Sequence, residues 1–320
     1  MLTGIILLIA GLSLIIFGAD WLVDGASSIA RKLKISEFVI GLTIVGFGTS
    51  CPELVVSVTG AVKGISDISI GNVIGSNIFN TLLILGLTAL ILPINVSANN
   101  KRRDIPMTLA VTLLLIVCGM SHSLFGLGSA DGLSRIEGIA FLALFALYIF
   151  FCFKTDSQDT AQDNSDVAEI STVKAILLTL AGLAGLVIGG RWFVNSGVNL
   201  AQALGVSDKF IAITLLAGGT SLPELAACVV AAAKKKGQLA LGNILGSNIF
   251  NVLLILGVSA SIRPISFSGV DFVDVTALAL SILLVMMSAY TFKKNQIDRY
   301  EGALFLLAFV AYYIWLFIKL

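Results

Sequence analysis

Gly48-Thr49-Ser50-Cys51-Pro52-Glu53 returns as Gly219-Thr220-Ser221-Leu222-Pro223-Glu224, and GNVIGSNIFN at 71–80 returns as GNILGSNIFN at 242–251. Both pairs lie 171 residues apart, as do Leu-Leu-Ile-Leu-Gly at 82–86 and its unchanged copy at 253–257, and Trp21 and Trp192. Arg-Ile-Glu-Gly at 135–138 matches Arg-Tyr-Glu-Gly at 299–302 with an offset of 164, so the two halves differ by a short length change. Eight identities in ten positions, inside a longer collinear alignment, make the halves copies of one another.

The copies are suited to a bilayer. The 320 residues are 57% hydrophobic and only 12% charged, with a mean hydropathy of +1.00. Soluble domains carry about 25% charge, and a soluble core of this size could not hide so much apolar surface. A spanning helix needs roughly 20 apolar residues. Ten segments qualify: 2–27, 37–62, 68–92, 105–121, 134–153, 173–200, 208–233, 239–262, 272–291 and 300–319. The expected fold is therefore an all-α integral membrane protein, ten transmembrane helices arranged as five-helix repeats over 1–153 and 172–320. Between them, residues 154–171 read KTDSQDTAQDNSDVAEIS, an acidic linker without aromatics. Residues 2–17 resemble a signal peptide but lack a basic leading region and recur later in the chain, so they read as a retained first helix.

Charge orients the helices, because Lys and Arg favour the cytoplasmic side of short loops. The loops after segments 1, 3, 5, 7 and 9 hold 14 of the 20 basic residues, among them Arg31, Lys32, Lys34, Lys101, Arg102, Arg103, Lys234, Lys235 and Lys236. Those loops and the linker are then cytoplasmic and both termini extracytoplasmic, in the cell (inner) membrane. Five helices per copy is an odd number, so the second repeat is inverted. Inverted repeats are typical of secondary transporters, whose site lies near the midplane at the repeat interface.

Several function classes drop out. The formal net charge of +1 gives no basic face for nucleic acid. No G-x-x-x-x-G-K-[ST] stretch is present, which argues against nucleotide-driven pumping. Cys51, Cys118, Cys152 and Cys228 all fall in apolar runs without metal-ligand spacing, and read as buried, inert thiols. No nucleophile–base pair or His-metal motif suggests an enzyme, and no cofactor is implied. The expected partners are the lipid bilayer and inorganic cations.

Glu53 and Glu224 each lie deep in an apolar segment, where an ionisable group costs roughly 3 kcal/mol or more. Each follows a proline. A proline inside a helix removes an N–H and displaces the carbonyl near i−4, here Gly48 and Gly219. Carbonyls around Gly46–Thr49 and Ala217–Thr220 should be freed, beside the hydroxyls of Thr49, Ser50, Thr220 and Ser221. Freed backbone at such depth is tolerated where it lines a cavity or an ion site. In the third and eighth segments, Ser76 and Asn80 share a helix face with Asn72 one turn earlier, and Ser247, Asn251 and Asn243 repeat them. Asn77 and Asn248 lie off that face, where interhelical hydrogen bonding weighs more heavily. The set is all oxygen. Hard cations such as Ca²⁺ and Na⁺ favour it, whereas Zn²⁺ or Cu would draw nitrogen or sulfur. Two carboxylates balance one Ca²⁺, two protons or two Na⁺. A neutral glutamic acid held by hydrogen bonds is the plain alternative. Asp20 and Arg191 occupy equivalent positions, and with Asp24 they read as side chains snorkelling to the interface.

These paired motifs resemble the two α-repeats of the cation/calcium exchanger superfamily, in its prokaryotic sodium/calcium exchanger-like branch, over essentially the whole chain. The resemblance implies ten helices, alternating access, and exchange of Ca²⁺ for Na⁺ through one site. It implies that Glu53 and Glu224 hold Ca²⁺ with the carbonyls of Thr49 and Thr220. It also implies that Ser50, Ser76, Ser221 and Ser247 serve Na⁺, and that the first and sixth helices slide as a gate. Some family members carry aspartate where this chain has Asn251, which leaves counter-ion and stoichiometry open. Exchange of Ca²⁺ for H⁺, a K⁺ requirement and a cation channel are the competing expectations.

Overall fold

The helices run in the order α1 (Leu2–Leu33), α2 (Glu37–Thr49 and Cys51–Lys63), α3 (Ser66–Ile91), α4 (Ile105–Gly119), α5 (Arg135–Thr155), α6 (Thr172–Ala203), α7 (Leu222–Ala233), α8 (Gly237–Ile262), α9 (Phe272–Ser288) and α10 (Arg299–Lys319). The computed structural model describes residues 2–128, 130–155, 170–205, 218–291 and 295–319. Most of the linker expected at 154–171, and residues 208–217 of the seventh expected segment, lie outside the described residues. Six of the helices are each long and apolar enough to cross a membrane, and the two arms of α2 qualify together. The shorter α4, α7 and α9 complete the order.

The protein is polar in the middle and apolar outside. The apolar stretch of α8 is 94% buried and that of α3 72%, against 28% for α1 and 17% for α10. α3 and α8 carry the asparagine–serine motifs, so the chain surrounds them with the other helices. Ile9, Phe17, Leu307 and Ile318 on the outer helices stay exposed, which lipid accepts where water would not.

Glycine sets the closest approaches. α1 and α6 pack antiparallel along a seam of small residues. A Cβ on Gly18 would sit 2.9 Å from the Gly182 carbonyl oxygen, and one on Gly182 would sit 2.6 Å from the Leu22 nitrogen. Such spacing forbids any side chain and lets backbones make van der Waals contact, the main attraction between helices in lipid. The glycines of the fifth-segment repeat find their reason here too. Gly302 of α10 abuts Gly86 of α3, and Gly138 of α5 abuts Gly257 of α8.

Among the described residues, four two-residue strands close the ends of the bundle: β1 (Ile94–Asn95), β2 (Gly132–Leu133), β3 (Ile265–Ser266) and β4 (Gln296–Ile297). β1 pairs with β4 and β2 with β3, both antiparallel, with Ile94 opposite Ile297 and Leu133 opposite Ile265. The offsets of 171 and 164 that relate the halves in sequence convert one ladder into the other. Each ladder therefore joins the two repeats, and neither belongs to one half.

The basic turn after α7 clasps two helices of the first half. Lys234 Nζ lies 2.7 Å from both Asp20 and Asp24 of α1, and Lys236 Nζ lies 2.7 Å from Glu37 at the start of α2. Asp20 and Asp24 thus share a lysine rather than only reaching toward the interface. Partial burial disfavours the Lys234 charge, but the two carboxylates outweigh it and raise its pKa. In the first repeat the equivalent of Lys236 is Ile65, which carries no charge to repeat that ion pair. The side chains of Lys236 and Glu37 are 11% and 9% exposed, against 29% for Lys234 and 46–47% for its partners. Removing one member of a shielded pair strands its partner's charge, whereas an exposed pair contributes little. Glu37→Gln is therefore expected to destabilise the purified protein by roughly 3 kcal/mol, and Lys234→Gln by about 1 kcal/mol or less. Denaturation midpoints in matched detergent check the difference; equal effects contradict it.

Candidate cation site

Ser50 and Ser221 each precede a new helix. Their backbones leave helical geometry, with φ −81° and ψ 5° at Ser50 and φ −88° and ψ 7° at Ser221. The sequence places each proline inside a single apolar segment, 37–62 and 208–233, with freed carbonyls before it. Instead, Pro52 and Pro223 stand in the first turn of fresh helices. First-turn N–H groups have no intrahelical acceptor, so a missing one costs nothing there. The two arms of α2 meet at 48°. The first arm closes with Ser50 N donating to the Gly46 carbonyl at 3.1 Å, and the second resumes with Leu54 N donating to the Ser50 carbonyl at 3.1 Å. Leu225 N and the Ser221 carbonyl repeat this in α7 at 3.0 Å.

The break has an electrostatic consequence. Thr49 ends a helical arm, where carbonyls carry partial negative charge, and Thr220 precedes α7 at the matching point. Glu53 and Glu224 occupy the first turns of the next helices, where the partial charge is positive. The first end suits a cation and the second favours the carboxylate form.

Each new helix begins with Ser-x-x-Glu, the pattern of a capping box. Neither serine caps its own helix. Ser50 Oγ donates to Glu224 Oε1 at 2.9 Å, and Ser221 Oγ donates to Glu53 Oε1 at 3.1 Å. The crossing brings the two glutamates to one place and ties the halves together through their carboxylates. Ser221 Oγ also lies 3.2 Å from Ser76 Oγ.

Outside these bonds lies a second crossed pair. Thr49 Oγ1 donates to Asn243 Oδ1 at 3.2 Å, and Thr220 Oγ1 donates to Asn72 Oδ1 at 3.4 Å. Asn72 Nδ2 in turn donates to Ser57 Oγ, and Asn243 Nδ2 to Cys228 Sγ. Ser57 and Cys228 are themselves repeat equivalents, a support that sequence reading overlooked although the offset of 171 relates them. Thr49 Oγ1 also approaches the Gly46 carbonyl at 3.4 Å. Ala217, expected to supply the matching carbonyl, lies outside the described residues.

The third crossing joins α3 and α8. Both widen into a π-turn directly after the motif isoleucine, at Phe79–Ile84 and Phe250–Leu256. Such turns leave helical periodicity, often at functional sites, and the spacing rule used on the sequence does not foresee them. Asn251 Nδ2 donates to Asn77 Oδ1 at 2.9 Å, and Asn80 Nδ2 to Asn248 Oδ1 at 3.3 Å. Asn77 Nδ2 donates to the Asn248 carbonyl, and Asn248 Nδ2 to Thr81 Oγ1.

What these bonds leave over is oxygen. Glu53, Glu224, Thr49, Ser50, Ser221, Ser76, Ser247, Asn80, Asn243 and Asn251 are all buried, while Asn72 and Thr220 are half-buried. Among the described residues, Glu53 Oε2, Glu224 Oε2, Asn80 Oδ1, Asn251 Oδ1 and Ser247 Oγ are buried atoms without a hydrogen-bond partner. None of the ion pairs among the described residues includes Glu53 or Glu224. Buried polar atoms are overwhelmingly satisfied, so a cluster of unpartnered oxygens is a candidate ligand set. Five lone-pair donors, with no cationic side chain paired to Glu53 or Glu224 among the described residues, make an arrangement that suits a hard cation.

Known proteins share this architecture. The family model for sodium/calcium exchanger proteins matches residues 3–154 and 174–318. The sodium/calcium exchanger MaX1 of Methanosarcina acetivorans is 35% identical over 343 residues, covering 98% of each chain. The inner membrane protein YrbG of Escherichia coli is 33% identical over 273 residues, covering 82% of this chain and 81% of its own. A solved structure of the sodium-calcium exchanger NCX_Mj superposes with a TM-score of 0.83 at 36% identity, covering 96% of this chain and 97% of that one. With the repeats, the break in α2 and the crossed carboxylates in place, this membrane protein belongs to the sodium/calcium exchanger family.

Proposed function

We propose that the protein is an antiporter that exchanges Ca²⁺ for Na⁺ by alternating access, with Glu53 and Glu224 as the shared cation ligands. The observation that carries this reading is the set of five unpartnered buried oxygens, two of them carboxylate, contributed by both halves. One site built from two halves can be uncovered from either side by rocking one half against the other, which a single-half site cannot. Two carboxylates neutralise one Ca²⁺. Na⁺ ions filling the same oxygens displace it, and that competition couples the fluxes.

Within this site the roles divide by what each group has free. Glu53 and Glu224 supply charge. Ser76, Ser247, Asn80 and Asn251, with the Thr49 and Thr220 carbonyls, supply neutral oxygen. Ser50 and Ser221 hold one carboxylate oxygen each and can turn a lone pair to Na⁺. Asn72 and Asn243 act through the threonine hydroxyls they accept from, and the carbonyls of Gly46 and Ala217 are further candidate cation ligands. Residues 1–153 and 172–320 form the inverted units in the inner membrane, joined by the cytoplasmic linker 154–171, with both termini extracytoplasmic.

The test is flux. Purified protein in liposomes should take up ⁴⁵Ca²⁺ when an outward Na⁺ gradient is imposed, and should not when K⁺ or H⁺ gradients replace it. Uptake driven equally by a pH gradient without Na⁺ would reassign the counter-ion. Conduction without a counter-ion gradient would make the protein a channel.

A further inference from the structure

We propose that Asn77 and Asn248 are positioning residues that set the affinity of the cation site by fixing which end of the Asn251 and Asn80 amides faces it; the inference rests on the cation-site reading above. A side-chain amide has two faces of opposite character. Its oxygen ligates a cation, and its NH₂ repels one and donates to any nearby carboxylate. Asn80 and Asn251 stand in the π-turns that pack against the glutamate-bearing helices. The π-turn at 79–84 packs against α7, which carries Glu224, and the π-turn at 250–256 packs against Cys51–Lys63, which carries Glu53. Left alone, each amide would turn its NH₂ to the nearest carboxylate, neutralise a ligand oxygen and block the site.

The crossed bonds prevent that. Asn77 Oδ1 takes the NH₂ of Asn251, and Asn248 Oδ1 takes the NH₂ of Asn80. Both holders are themselves oriented. Asn77 Nδ2 is anchored on the Asn248 carbonyl and Asn248 Nδ2 on Thr81 Oγ1, so neither can rotate to present its own NH₂. The outcome is visible in what is left unpaired: Asn80 Oδ1 and Asn251 Oδ1, and neither nitrogen. Each holder lies in the opposite repeat from the asparagine it orients, so a relative displacement of the halves would loosen both amides together.

The test is a double-substitution cycle in proteoliposomes, reading the half-saturating Ca²⁺ concentration, the maximal rate and the thermal midpoint. Asn77→Ala and Asn248→Ala should each raise the half-saturating Ca²⁺ concentration by about tenfold, the loss of one oriented ligand, while the maximal rate stays within about twofold. A residue acting through another is silent once that other is gone. Asn77→Ala added to Asn251→Ala should therefore change affinity less than about twofold, whereas Asn77→Ala added to Asn80→Ala should be additive. Additivity within the Asn77–Asn251 pair, or unchanged Ca²⁺ affinity in Asn77→Ala, overturns the assignment, as does a fall in midpoint and rate without a change in affinity. If Asn77→Ala does not fold, the same cycle on Asn77→Ser decides the matter, since serine stays polar but is too short to reach Asn251. A wild-type protein with neither Ca²⁺ uptake nor calorimetric Ca²⁺ binding overturns the cation site and this inference together. Wild-type binding with an unaffected Asn77→Ala overturns this inference alone.

Discussion

Glu53→Gln is expected to abolish Na⁺-driven ⁴⁵Ca²⁺ uptake while leaving the protein folded, and Glu224→Gln to do the same. The substitution keeps size and shape. The amide oxygen can still accept from Ser221, as Glu53 Oε1 does at 3.1 Å. What changes is charge: the site falls from two carboxylates to one, and Ca²⁺ is no longer neutralised. One unit charge at about 4 Å from a divalent ion, at an effective dielectric near 20, is worth several kcal/mol. That corresponds to roughly a thousandfold or greater loss of Ca²⁺ affinity. Stability should move the other way. In the absence of ions, two buried carboxylates without a cationic partner are costly, so the thermal midpoint of the Gln variant in ion-free detergent should equal or exceed the wild-type value. Added Ca²⁺ should raise the wild-type midpoint and leave that of the variant unchanged, because only a ligand that binds the folded state stabilises it. Ca²⁺ uptake within about threefold of wild type would remove Glu53 from the site.

The second large effect concerns the α1–α6 seam. A methyl group on Gly182 would lie 2.6 Å from the Leu22 nitrogen and 2.7 Å from the Gly18 carbonyl oxygen. These atoms belong to backbone, which cannot turn aside as a side chain can. Gly182→Ala must then push two long helices apart along their shared length. Overpacking of this kind costs on the order of 1–3 kcal/mol, and lost helix–helix contact in lipid adds to it. Gly182→Val should prevent recovery of folded protein altogether. Gly4→Ala is the matched control, because a Cβ at Gly4 meets nothing within 4 Å and alanine is the better helix former by about 1 kcal/mol. Denaturation midpoints in one detergent should therefore fall for Gly182→Ala and hold or rise for Gly4→Ala. Equal midpoints would mean that the seam tolerates a gap, and that close packing is not what joins α1 to α6.

Much of this is legible in the sequence. Hydropathy reads well in a membrane protein because lipid leaves the backbone few options, so α1, α3, α5, α6, α8 and α10 fall close to their expected ranges. Boundaries were harder where polar residues extend a helix beyond the apolar run. α1 continues to Leu33 through Arg31 and Lys32, because a helix end at the interface is set by its next turn and not by its last apolar residue. The site residues were legible for a different reason: duplication printed them twice, and an isolated carboxylate in an apolar segment stands out at once.

The proline motif marks where that legibility ended. The sequence alone determined that each half carries a carboxylate, a proline and hydroxyls at depth, since those are matters of composition and spacing. Whether Pro52 kinks a helix or opens a new one depends on whether the residues before it find other partners. Here Ser50 turns out of helical geometry and bonds Glu224 in the other half. The same holds for three more bonds that join the repeats: Ser221 to Glu53, Thr49 to Asn243, Asn251 to Asn77. Each spans more than 150 residues, and nothing local in the chain distinguishes a serine that caps its own helix from one that crosses to its copy. The duplicated sequence determined which groups exist. Packing of one copy against the other decided which of them pair, and so which oxygens were left for a cation.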